Sequence, residues 1–98
     1  MEQRKAMSVI TRMANENQDL FNEQKLIEEM SELTKELTHR ITKPRKYDPS
    51  KVIEELGDVK VRLEVLCARY GRGAVNARVN TKLKKFDKYL VEGPYENV

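Results

Sequence analysis

Two short acidic segments carry the residues of this chain best suited to chemistry. Residues 26–33 read LIEEMSEL and residues 52–59 read VIEELGDV, alike at every position except the small pair Ser31 and Gly57. Each holds two carboxylates three residues apart, Glu29 and Glu32 in the first, Glu55 and Asp58 in the second. On a helix that spacing puts both groups on one face, where they can share a metal. Four carboxylates gathered together repel one another strongly unless cations sit between them. Mg²⁺ prefers carboxylates together with water and substrate phosphates. One such segment alone would be a solvated helix face; two in matching phase read as a metal site.

Few other chemistries are open to this composition. One cysteine, Cys67, excludes an internal disulfide, and one histidine, His39, leaves no zinc-finger or haem-attachment pattern. Any metal must therefore be held by carboxylates. No apolar run approaches the ~20 residues of a membrane span. The start MEQRKAMSVITRM lacks the unbroken apolar stretch of a secretory signal, so a soluble cytoplasmic protein is expected. The net charge of +3 is unevenly spread, from an acidic first half to a basic tail. That division suits a metal on one side and an anionic ligand on the other.

The elements that must position these residues are helices. The 98 residues suffice for one domain, 1–98. Long stretches rich in Glu, Lys, Leu and Met run between three prolines and four glycines. The pattern predicts helices over about 3–14, 18–42, 49–70 and 74–92, and no strand. Asp48 should cap the third helix, with Pro49 at its first position. The glycines of Gly71-Arg72-Gly73 should close that helix, and Gly93-Pro94 the fourth. Turned at about 100° per residue, Leu26, Met30, Leu33, Leu37 and Ile41 form one apolar stripe. Val52, Leu56, Val59, Leu63, Leu66, Cys67 and Tyr70 form another. If the stripes pack antiparallel, the two carboxylate pairs converge at the edge of the seam. His39 suits the C-terminal end of its helix, where a cation meets the dipole. Cys67 belongs to the core. Gln18, Asn22 and Lys25 extend the Glu29 side backwards and could line a pocket with Phe21 at its edge. The loop Lys43-Pro44-Arg45-Lys46 reads as a solvated connector that could touch phosphate.

Glu28-Glu29-x-x-Glu32 followed by Glu55-Leu56-Gly57-Asp58 resembles the E-E-x-x-E … E-x-x-D signature of the MazG-like all-α nucleoside triphosphate pyrophosphohydrolases. That superfamily also includes dimeric dUTPases and phosphoribosyl-ATP pyrophosphohydrolase. Asn80-x-Lys82-Leu83-Lys84-Lys85-Phe86 is similar to the family's basic segment, and the likeness spans roughly residues 18–92. It implies Glu29, Glu32, Glu55 and Asp58 as ligands of Mg²⁺, with Mn²⁺ a possible substitute. It implies Asn80, Lys82 and Lys85 as contacts to the substrate's phosphates, with Lys84 competing for the last role. Glu28 could orient a ligand or accept a proton from the attacking water. The implied reaction is hydrolysis between the α- and β-phosphates of a nucleoside triphosphate, giving the monophosphate and pyrophosphate. The implied assembly is a homodimer or homotetramer of four-helix subunits, in keeping with few aromatics and uncovered apolar faces. The alternative is a small basic helical oligomer that binds nucleic acid through KPRK and KLKK without catalysis.

Overall fold

The computed structural model describes residues 1–93. It comprises α1 (Gln3–Glu16), α2 (Asp19–Thr42), a one-turn 3-10 segment (Pro44–Lys46), α3 (Pro49–Tyr70) and α4 (Arg72–Glu92). No strand occurs among the described residues, and the all-α class is as expected. Two boundaries differ: α1 continues through Asn15 to Glu16, and α4 starts at Arg72, so Gly73 lies inside it. Pro94 lies outside the described residues.

Local chemistry explains the ends of α3. Asp48 is extended, and its Oδ1 accepts from Ser50 N at 3.0 Å and Ser50 Oγ at 2.7 Å. These bonds pull the Asp48 carboxyl below its ordinary value. Pro49 follows at the first helical position, where its missing N–H is no loss. At the other end Gly71 has φ 113°, a conformation that an L side chain resists, and α4 starts directly from it.

α2 and α3 form an antiparallel hairpin, with α1 laid across α3 and touching α2. The open end of the hairpin is tied by Arg69, whose guanidinium donates to both Asp19 oxygens at 2.7 and 3.3 Å. Tyr70 Oη donates to Glu23 at 2.7 Å beside it. Asn22, only 2% exposed, fastens α1: its Nδ2 donates to Met13 O, and its Oδ1 accepts from Asn17. That amide is spent on structure and does not line a pocket as the sequence suggested. Among the described residues α4 packs on α3 alone and has no buried residue. The radius of gyration is accordingly 16.7 Å, against about 13 Å for a compact domain of this length.

The seam is rotated from its expected line. Leu26 and Leu33 of α2 and Val52, Val59 and Leu66 of α3 are buried or half-buried, as the apolar phase predicts. Met30, Leu37 and Ile41, however, are exposed, as are Leu56, Leu63 and Tyr70. Cys67 is half-buried instead of enclosed. The place of the outer residues is taken by Glu29 and Glu36 on α2 and by Glu55, Arg62 and Val65 on α3. Val65 is the most enclosed, at 0% exposure. The reason is the breadth of the stripes: an apolar arc wider than one helix contact can meet its neighbour by one edge and leave the other uncovered. The rotation moves Glu29 and Glu55 from the rim of the seam into it, while Glu32 and Asp58 stay exposed. With so small a core, Leu26→Ala should cost at least about 2 kcal/mol of stability, measured as a lower urea midpoint with unchanged slope.

Candidate metal centre

Two helices supply the centre. Glu29 and Glu32 stand three residues apart on α2, and Glu55 faces them from α3. One carboxylate oxygen from each of the three lies within 4.8 Å of the others. Glu29 Oε2 and Glu55 Oε2 are buried and have no hydrogen-bond partner. Such orphaned acceptors in an all-oxygen donor set fit a hard divalent cation. Asp58, one turn further along α3, is exposed and stands outside the group of three. Its charge still reaches them, raising the pKa of both Glu29 and Glu55.

The electrostatics follow from this crowding. Burial is the largest cause that lifts the Glu29 carboxyl, followed by the charges of Glu32, Asp58 and Glu28, while Arg62 opposes them. Glu55 is lifted by burial and then by the charges of Glu32, Asp58 and Glu29. The folded chain therefore binds protons here more tightly than the unfolded chain, whose glutamates titrate near the ordinary 4.5. The resulting stabilisation is complete below 4.5 and lost as pH rises through the raised folded values. In EDTA the melting temperature of the wild type should fall from pH 4.5 to 7 relative to a Glu29→Gln/Glu55→Gln double variant. Added Mn²⁺ should flatten that difference. Parallel melting curves for the two proteins without metal would contradict the raised titration of these carboxyl groups.

The other expected site residues are distributed more widely. Glu28 is exposed and lies 3.3 Å from Lys25 Nζ, so it faces out of the seam. Lys25 also sits 5.6 Å over the Phe21 ring. Asn80, Lys82 and Lys85 all lie on α4, which touches neither α1 nor α2. Within one chain the structure thus gathers the glutamates but does not bring the basic segment against the α2 half of the centre. Lys82 instead lines an apolar groove of about 410 Å³ along α4, with Val75, Val79, Leu83 and Phe86.

Arg62 was not foreseen. It lines a cavity of about 250 Å³ with Met13, Glu29, Asp58 and Val61, and its Nη1 is buried without a partner. Its position four residues after Asp58 places it on the same face of α3, a signal available in the sequence. Glu36 was also passed over, although it follows Glu32 by one turn. It is buried beside His39, whose Nδ1 is 3.5 Å from its Oε2.

Comparison of the chain with protein-family models, with curated proteins and with solved structures found no match. Among the described residues, no helix is long and apolar enough to cross a membrane.

Proposed function

We propose that the chain is a Mg²⁺-dependent nucleoside triphosphate pyrophosphohydrolase, cleaving between the α- and β-phosphates. One observation carries this reading: three glutamates from two helices converge, and two of their buried oxygens have no partner. The acidic and basic segments that resemble the MazG-like enzymes support it. Glu29, Glu32 and Glu55 would hold the cation, with Asp58 as the fourth carboxylate. When bound, Mg²⁺ supplies a polarised phosphoryl oxygen and a water of lowered pKa. The protein's own part is to fix the carboxylates, to offset their charge with Arg62, and to present Lys82 and Lys85 to the phosphates. Glu28, on the outer side of the same turn, is the residue offered for taking a proton from water.

The same reading includes a homodimer or homotetramer. Its support is the uncovered apolar surface: Met30, Leu37, Leu56 and Leu63 on the hairpin, and Val79, Leu83 and Phe86 on α4, all exposed in one chain. A second copy seated there would also bring the basic α4 into range of a carboxylate centre.

The test is pyrophosphate release from a panel of ribo- and deoxyribonucleoside triphosphates, with Mg²⁺ and with EDTA. Release confined to the metal-containing samples is expected. Lys82→Ala should weaken substrate binding by about 2 kcal/mol, the worth of one charge-assisted hydrogen bond, read as a raised KM. No release from any nucleotide with Mg²⁺ or Mn²⁺ would sink the proposal. Salt-sensitive binding of nucleic acid would then favour the non-catalytic alternative.

A further inference from the structure

We propose that Arg62 is a substrate-binding residue that grips a phosphate group arriving with the cation, a role that rests on the hydrolase reading above. Arg62 follows Asp58 by four residues and Glu55 by seven, so it continues the carboxylate side of α3 by one turn. With Met13 of α1 and with Glu29, Asp58 and Val61 it lines a cavity of about 250 Å³. Glu29 belongs both to this cavity and to the group of three glutamates, so the two spaces share a wall. The cavity is smaller than an ordinary ligand pocket of about 300–1,000 Å³. It suits one part of a nucleotide and not the whole.

A guanidinium beside two carboxylates ordinarily pairs with one of them. Arg62 does not. Among the described residues it forms no ion pair with Glu29, Asp58 or any other acid, and it donates no hydrogen bond. Its charge still reaches Glu29, where it opposes the burial and the neighbouring carboxylates that raise that carboxyl. The guanidinium is therefore held near the carboxylates but apart from them, with the cavity beside all three. Of its nitrogens only Nη1 is enclosed without a partner. The rest of the planar fork stays open to donate.

That spacing selects a ligand by charge. An anion alone is drawn to Arg62 but repelled by Glu29 and Asp58, and a bare cation meets the reverse. A phosphate that carries a divalent cation satisfies both, with the carboxylates toward the cation and the guanidinium toward the phosphate oxygens. Mg²⁺ is commonly held in this manner, by one or two carboxylates and the substrate's phosphates. An arginine fork matches two phosphate oxygens at once, which the point charge of a lysine does not. Arg62 also shares α3 with Glu55, so unlike Lys82 on α4 it needs no second chain to stand at the centre.

Titration of the full chain with Mn²⁺ alone, and with the preformed complex of Mn²⁺ and imidodiphosphate, tests this role without any turnover. Imidodiphosphate stands in for two linked phosphates and resists hydrolysis. Arg62→Met keeps a long unbranched side chain and removes the fork. It should bind Mn²⁺ at least as tightly as the wild type, and the complex at least about tenfold more weakly. Arg62→Lys should recover only part of that loss. Unchanged affinity of Arg62→Met for the complex would overturn the proposal. So would an equal weakening toward Mn²⁺ alone, which would mark Arg62 as a support of the fold. Should Arg62→Met fail to fold, Arg62→Lys takes its place, and an affinity for the complex equal to that of the wild type overturns the role. A wild type that binds Mn²⁺ but not the complex would also overturn it, and would leave the carboxylate centre standing. A wild type that binds no Mn²⁺ would remove the centre, and with it both the hydrolase reading and this role.

Discussion

Glu55→Gln should reduce pyrophosphate release below detection while raising the melting temperature of the metal-free protein by a few degrees. The two effects have one cause. Glu55 is the only α3 member of the group of three glutamates, so its loss leaves both remaining oxygens on one helix turn. The shape of the side chain is kept, but the charge that would bind a cation is gone. The same change removes a carboxylate whose ionisation is opposed by burial and by Glu32, Asp58 and Glu29. A merely structural glutamate would show the reverse, a loss of stability with turnover preserved. Calorimetry with Mn²⁺ completes the comparison: the heat of binding seen with the wild type should vanish.

Leu56→Asp/Leu63→Asp should convert the proposed assembly to single chains and remove the proposed activity with it. These leucines are 46% and 45% exposed in one chain and lie on the uncovered edge of the α3 stripe. A charge there costs one chain little, because the position already meets water. At an interface between copies it places a carboxylate against apolar surface without a partner, a strongly unfavourable burial. Light scattering should report the mass of one chain, while circular dichroism still shows the hairpin helices. A wild type that is already a single chain at micromolar concentration would end the assembly proposal.

The helices were legible because their signals are local. Asp48-Pro49 starts α3 and Gly71 ends it through backbone chemistry that any fold would respect. The convergence of Glu29, Glu32 and Glu55 was legible for a related reason: equal phase on adjacent antiparallel helices brings equal positions together. The rotation of the seam was not legible. Periodicity gives the direction of an apolar arc, but not which neighbour covers which part of it. Here one arc on α3 holds both Val59, half-buried, and Leu56, exposed. The same ambiguity hid Glu36 and Arg62, which are polar residues at positions that only tertiary packing encloses. Asn22 was misread because its partner is the Met13 carbonyl, reached only through the placement of α1. The expected grouping of Lys82 with the carboxylates depends on an arm that its own chain leaves uncovered.

In the proposed assembly, that arm would give the protein a dependence on its own concentration. α4 spans 21 residues and buries none of them within its chain, and an isolated helix is only marginally stable in water. In the proposed assembly the second copy would add to its packing on α3, and dilution should withdraw that support first. Hydrogen exchange would see amides of α4 open in dilute solution while those around Leu26 and Val65 stay protected. Turnover per chain would fall along the same curve, with the glutamates still in place and only the lysines withdrawn. Abundance would then act as the protein's own on-switch, set by mass action and needing no separate effector.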